Sequence, residues 1–240
     1  MSHAVAYIHA LDLGENWEQL QLEPAVQQLP AGLLNGISPT NGSPARIHSI
    51  AGRWLLWTLL RESLPTDIDN PSIQVSKYGK PAIILPDNQK AAENLSFSIS
   101  HAGNQVVVIL TDQCTVGIDI EHRSVFPYED CRMVFAKTEW DQILSDKGNH
   151  TFYRFWTAKE AICKAEGVGL FSNLPSLDLS GWPAGADQYI LTSFPGSGRP
   201  WYLQCHNTIP DYTLSLACST ALTNISLQWK TFRLEDISIR

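Results

Sequence analysis

Apolar positions recur along this chain with two spacings, every second residue and every third or fourth, and the two alternate. Val5–Leu11 reads as a first strand, and Leu20–Leu34 would suit a helix but for Pro24 and Pro30. Asn35–Pro44 (NGISPTNGSP) is loop chemistry that ends in Ser43-Pro44, a cap followed by a first-turn proline. The helix this predicts, Ala45–Ser63, gathers Ile47, Ile50, Ala51, Trp54 and Leu55 toward one face. Short strands at Ile73–Val75 and Pro81–Leu85 flank the turn Lys77–Lys80. Leu95–Ser100, Gln105–Thr111 and Val116–His122 follow with short connections, which predicts a three-stranded antiparallel meander. Helical pieces are expected near Glu129–Phe135 and Thr138–Leu144.

The strongest helix signal lies in Phe152–Leu170 (FYRFWTAKEAICKAEGVGL), where good helix formers run from Thr157 to Glu166 and Gly167 and Gly169 stop them. A short strand at Tyr189–Thr192 and closing strands at Trp201–Cys205, Tyr212–Ala217 and Ile225–Phe232 complete the pattern. Each half thus holds one long amphipathic helix and several antiparallel strands. The expected class is α+β with two similar α/β lobes, residues 1–115 and 116–240, although no repeat is visible in the letters.

Composition narrows the function classes. The net charge of −7 argues against nonspecific nucleic-acid binding and against a basic membrane-surface protein, while leaving room for a local basic pocket. Five cysteines, none at C-x-x-C spacing, suggest neither a disulfide framework nor a zinc site. Together with an N-terminus that lacks a signal-peptide pattern, they lead us to expect a reducing, cytoplasmic location.

Charge at helix and strand positions is more informative. Asp119 and Glu121 are two apart in a strand, so both carboxylates leave the same face while Ile118 and Ile120 enter a core. Like charges on one face repel unless a cation sits between them, and hard oxygen ligands suit Mg²⁺. A solvated strand edge is the other reading. Glu160 and Lys164 are four apart on one helical face, either as a surface ion pair or as part of a site. Ser100-His101 ends a strand, Lys80 lies in a turn, and Arg46 and His48 open the first long helix, where free N–H groups favour an anion. Taken together, these residues suit a metal-bridged phosphate compound.

V-G-I-D-I-E (Val116–Glu121) and, about 35 residues later, F-W-T-A-K-E-A-I-C-K (Phe155–Lys164) resemble the two signature motifs of the 4′-phosphopantetheinyl transferases. F-S-I-S-H-A-G (Phe97–Gly103), Y-G-K-P (Tyr78–Pro81) and A-G-R-W-L-L (Ala51–Leu56) resemble further segments of that family, in consistent order from Arg46 to Gly169. At 240 residues the chain is similar to the larger, surfactin-synthetase branch, whose two lobes form a pseudo-dimer within one chain.

The resemblance implies transfer of the phosphopantetheine arm of coenzyme A, the co-substrate, to a serine of an apo acyl or peptidyl carrier protein, leaving adenosine 3′,5′-bisphosphate. It implies that Asp119, Glu121 and Glu160 hold Mg²⁺, with Mn²⁺ as an alternative. Glu160 would also take the serine proton, and Lys164 would contact the pyrophosphate. Ser100, His101 and Arg46 or His48 would lie at the 3′-phosphate, and Gly79 and Lys80 along the adenine, with Arg53 a weaker candidate. Residues 123–138, with Phe126, Met133 and Phe135, would face the carrier. A monomer is expected, with no nucleic-acid or membrane partner. In one respect the chain departs from the family: Asp12–Ala45 contains no Lys or Arg, where many members carry several for the 3′-phosphate. The alternatives are a non-catalytic coenzyme A or carrier-binding module on the same fold, and a metal-dependent phosphohydrolase.

Overall fold

The computed structural model describes residues 4–38, 40, 42–64, 68–85, 95–124, 128–146, 149–169, 174–195 and 197–238. In chain order the strands are β1 (Ala4–Asp12), β2 (Ser72–Val75), β3 (Pro81–Ile84), β4 (Ser96–Ala102), β5 (Gln105–Thr111), β6 (Val116–His122), β7 (Gln188–Leu191), β8 (Trp201–His206), β9 (Tyr212–Cys218) and β10 (Ile225–Arg233). The helices are α1 (Glu23–Gln28), α2 (Ala31–Leu34), α3 (Pro44–Ser63), α4 (Lys137–Ser145), α5 (His150–Glu166) and α6 (Leu234–Ser238).

The α+β class is as expected. Two four-stranded sheets, ordered β10-β1-β5-β4 and β6-β9-β8-β7, lie face to face, and β2–β3 form a separate hairpin. Even positions of β1 and odd positions of β5 (Ala6, Ile8, Val107, Ile109) meet Ile118, Ile120, Leu214 and Leu216 of the second sheet in a shared apolar layer. The opposite face of the first sheet (Leu11, Val106, Val108, Leu110) is covered by α3 through Ile47, Ile50, Ala51, Trp54 and Leu55. The opposite face of the second is covered by α5 through Phe155, Ala158, Ala161 and Ile162. The order across the molecule is therefore helix, sheet, sheet, helix. Ser43 caps α3 as its sequence predicts, its Oγ accepting from the Arg46 N–H at 3.3 Å.

Two expectations need correction. The meander predicted for β4, β5 and β6 stops after β4–β5, because β6 leaves to pair with β9 in the other sheet. Its apolar residues, Ile118 and Ile120, are better buried between the sheets than on an extension of the first. In addition, β10 returns to run parallel beside β1, so the first sheet is not purely antiparallel.

Candidate active site

The site lies at the seam where β4 runs beside β6. The polar face of β4 is not solvated there. Ser96 Oγ accepts from the Val116 N–H at 3.0 Å and Ser100 Oγ from the Ile120 N–H at 3.3 Å, so two serines four apart stitch one sheet to the other. Ser100 thereby stands against Asp119 and donates to its Oδ1 at 2.8 Å.

From the other side comes α5. Gly117 is what lets it approach: a Cβ there would collide with the Ala161 carbonyl oxygen and lie 2.9 Å from the Ala165 nitrogen. Thr157 Oγ1, fully buried, sits 2.7 Å from Ser215 Oγ, and Ser215 is the cross-strand partner of Asp119. The helix is thus fixed directly over the acidic strand. Lys164 Nζ then donates to Asp119 Oδ1 at 2.7 Å and to Ser100 Oγ at 2.8 Å. Trp156 Nε1, one turn before Glu160, donates to Glu121 Oε1 at 3.1 Å.

The electrostatics centre on Asp119 and the two glutamates beside it. Asp119 is 4% exposed, and no donor among the described residues meets its buried Oδ2. Burial pushes the Asp119 carboxyl up, against the pull of the Lys164 ammonium and the hydrogen bonds from Ser100 and Ile120. Burial and then the Asp119 charge raise Glu121. The same two causes, in the same order, raise Glu160 to about 7. The Asp119 charge thus makes both glutamates harder to ionise, and Glu121 adds to the effect on Glu160. Among the described residues, no three His, Cys, Asp or Glu side chains stand as a ready metal cage. The donor chemistry nonetheless fits a hard divalent ion: three carboxylates, all raised by burial and two of them also by the Asp119 charge, with one buried Asp119 oxygen that no donor among the described residues meets.

A cavity of 270 Å³ opens beside this cluster, lined by Glu160, Lys164 and Cys163 of α5, Phe97–Ile99 of β4 and the turn between β2 and β3. A wider groove of 820 Å³ lies across Lys80, lined by Lys77, Asp112, Cys114 and Glu166, and it contains none of the three carboxylates. The smaller cavity is the one joined to the chemistry. Gly79 takes φ +89° in its wall. Lys80 does more than line it: its Nζ donates to the Ala165 carbonyl and its stem lies along Gly167, so the hairpin is clamped over the end of α5.

The remaining predicted residues form a second group. His48 is buried and stacks between Trp17, with centroids 4.4 Å apart, and His101, at 4.1 Å. Its Nε2 lies 2.8 Å from the Gly103 carbonyl, so that nitrogen carries the proton. Burial lowers the pKa of His48. It also lowers His101, to about 4, with help from His48 and Lys164, although the His101 side chain keeps a solvent-facing surface. Arg46 and Arg53 are spent on backbone carbonyls, those of Ser38 (2.8 Å) and Leu33 (3.0 Å). Met133 is 78% exposed, Phe135 is buried, and Phe126 lies outside the described residues.

Gly117 and Trp156 fall within the two motifs, but their contacts at the site are not legible in the sequence, and nothing there singles out Ser215. A glycine inside an otherwise β-branched strand was the available signal for the first. The pairing of Trp156 with Glu121 and of Ser215 with Thr157 depends on the packing of α5 and has no local signature.

A strand carrying two carboxylates, packed through a glycine against a helix carrying Glu and Lys four apart, defines the class. Residues 115–217 match the family described as the 4′-phosphopantetheinyl transferase superfamily. The chain is 30% identical over 176 residues to the 4′-phosphopantetheinyl transferase Sfp of Bacillus subtilis, covering 72% of this chain and 74% of that one. It is 32% identical over 151 residues to the mouse L-aminoadipate-semialdehyde dehydrogenase-phosphopantetheinyl transferase, covering 58% of this chain and about half (48%) of that protein. With the 4′-phosphopantetheinyl transferase AcpT of Escherichia coli O157:H7 it shares 34% identity over 131 residues, 52% of this chain and 60% of that one. The chain belongs to the 4′-phosphopantetheinyl transferase superfamily, and it is an enzyme of that transferase class. Among the described residues no helix is long and apolar enough to cross a membrane.

Proposed function

We propose that this enzyme transfers the 4′-phosphopantetheine arm of coenzyme A to a serine hydroxyl of an apo acyl or peptidyl carrier protein in a Mg²⁺-dependent reaction. The products are holo carrier protein and adenosine 3′,5′-bisphosphate. The observation that carries this reading is the carboxylate trio beside Lys164: buried Asp119, raised by its burial, with half-buried Glu121 and Glu160, both raised by burial and by the Asp119 charge.

Asp119, Glu121 and Glu160 would hold Mg²⁺, or Mn²⁺ in its place. The ion supplies charge neutralisation at the pyrophosphate when bound. The hydrogen bond from Trp156 Nε1 to Glu121 Oε1 would restrain that carboxylate for its part in holding the ion. A bond forms between the carrier serine oxygen and the phosphorus bearing pantetheine, while the bond from that phosphorus to the bridging oxygen breaks. Glu160, half-buried and with a pKa near 7, is suited to receive the serine proton, directly or through a water. Lys164 stands where its ammonium can offset charge on the departing bisphosphate. Ser100 holds Lys164 and Asp119 in place and, with His101, His48 and Arg46, borders the nucleotide side. Gly79 and Lys80 would lie along the adenine.

The stretch 123–138, with Met133 exposed on it, would receive the carrier. We read the chain as two lobes, 1–115 and 116–240, related as an intramolecular pseudo-dimer. The helix-sheet-sheet-helix order supports this, with β10 crossing back to the first sheet. A cytoplasmic monomer is the state this reading expects.

The test is incubation of the enzyme with coenzyme A, Mg²⁺ and a panel of apo carriers, read by mass spectrometry. One carrier should gain the mass of one phosphopantetheine. Release of free phosphopantetheine or phosphate without any carrier would favour a hydrolase, and coenzyme A binding without turnover on every carrier a binding module.

A further inference from the structure

A second pair of buried charges lies outside the site. Lys159 and Glu139 are both fully buried, and Lys159 Nζ lies 2.7 Å from Glu139 Oε2. A pair of apolar side chains could fill the same space without the desolvation of two ions, so the filling of space does not account for the charges. What they do that apolar groups could not is hold backbone. The Lys159 ammonium donates to the carbonyls of Val134 (3.1 Å) and Leu174 (3.0 Å) as well as to Glu139. Glu139 Oε2 also accepts from the Ala136 N–H at 2.7 Å, and its Oε1 from the Leu179 N–H at 2.9 Å. Every donor of the ammonium and both oxygens of the carboxylate are used. Three stretches distant in sequence, 134–139, 174–179 and α5, meet on this pair.

Its position matters for the reaction. Lys159 immediately precedes Glu160 and leaves α5 on another side, toward the 134–139 stretch. Val134, whose carbonyl it holds, follows exposed Met133 and precedes Phe135, which is buried against Phe152 with ring centroids 5.4 Å apart. The path from the surface at Met133 to Glu160 runs through the Met133–Val134 peptide bond, the Val134 carbonyl, the Lys159 side chain and the Lys159–Glu160 peptide bond.

We propose that Lys159 and Glu139 are positioning residues for the carrier protein, fixing the 128–138 surface relative to Glu160 so that a docked serine arrives within reach of the base. This rests on the reading that 123–138 receives the carrier. A surface that must be ordered as the carrier docks weakens binding, and a fixed mount removes that cost beforehand.

The test is the double variant Lys159→Met/Glu139→Leu, which removes both charges and leaves neither unpaired. Steady-state kinetics would vary carrier and coenzyme A separately, and calorimetry would give coenzyme A affinity without carrier. A folded double variant should show the carrier KM raised about tenfold or more, with coenzyme A affinity unchanged within about twofold. Unchanged KM for the carrier in a folded variant overturns the proposal, as does loss of coenzyme A affinity alone. Hydrogen exchange on the unaltered enzyme gives a measurement independent of how the variant folds. The amides of Ala136 and Leu179 should exchange as slowly as the interior of α5, and exchange at surface-loop rates overturns the proposal. Met133→Glu separates this from the underlying reading. If it leaves the carrier KM unchanged, the docking surface is misassigned and the proposal falls with it. If it raises that KM while the double variant does not, the proposal alone fails.

Discussion

Lys164 makes its ion pair with Asp119 on the neighbouring strand, at 2.7 Å, and not with Glu160 one turn back on its own helix. The i,i+4 spacing suggests the intrahelical partner. The cross-element pair wins because Asp119 is buried and held by Ser100, so its charge is the one least served by water. Glu160 is left facing the cavity.

That arrangement predicts asymmetric mutational effects. Lys164→Ala strands a buried carboxylate and removes the positive charge expected at the leaving group. Transfer should fall by about a hundredfold to a thousandfold, the usual cost of a transition-state donor. Adding Asp119→Asn to it should recover thermal stability without recovering activity. Parallel measurements of Tm and kcat on the two variants check this, and recovered activity in the double variant would contradict the assignment of Asp119.

Gly117→Ala should act through packing alone. The added methyl meets backbone atoms of α5, which cannot rotate away, so the helix must lift from β6. A loss of about 2–3 kcal/mol is expected, in the range of overpacked cores. Urea denaturation measures it. Activity should fall with coenzyme A present at saturation, because Glu160 and Asp119 move apart.

These two cases show what the sequence could and could not disclose. The carboxylate pair, the Glu–Lys helix and the capped start of α3 follow from local periodicity, and they were legible. So were most strand positions. The destination of β6 was not, because a short turn after β5 is equally compatible with a third meander strand. Only burial of Ile118 and Ile120 between two sheets decides it. The alternation of Ser96, Ser98 and Ser100 reads as one buried face and one wet one, yet its polar face is the seam itself. Lys159 and Glu139 carry no local signal of burial, and only the close packing of three chain segments buries them. Long-range pairing of this kind leaves no period in the letters.

Acid should destabilise the enzyme through the imidazole stack. His48 and His101 have folded-state pKa values below the ordinary 6.5, His101 at about 4, because burial and the neighbouring ring oppose protonation. Below about 6.5 the unfolded chain binds protons that the folded one does not, so this contribution is present at neutral pH and is lost as pH falls toward about 4. Solvent at the His101 edge will reduce its size. Urea midpoints from pH 7.5 to 4.5 should fall less steeply for His48→Asn than for the unaltered enzyme. An identical slope would remove the stack from the acid response.

Metal should act in the opposite sense on the carboxylates. Without a divalent ion, Glu160 has a folded pKa near 7 against an ordinary 4.5, so its protonated form favours folding below pH 4.5 and that advantage is lost as pH rises through 7. Asp119 and Glu121 are shifted in the same direction. In EDTA the enzyme should therefore carry a strained acidic cluster at pH 8. Added Mg²⁺ should raise Tm, and more at pH 8 than at pH 6, because a ligand that binds only the folded state stabilises in proportion to the logarithm of its saturation. Glu160→Gln and Asp119→Ala should each blunt the Mg²⁺ response and abolish transfer while the fold persists. Calorimetric scans at the two pH values, with and without Mg²⁺, read this directly. A Tm that ignores Mg²⁺ at both pH values, or a variant that keeps its transfer activity, would break the link between these carboxylates and the metal.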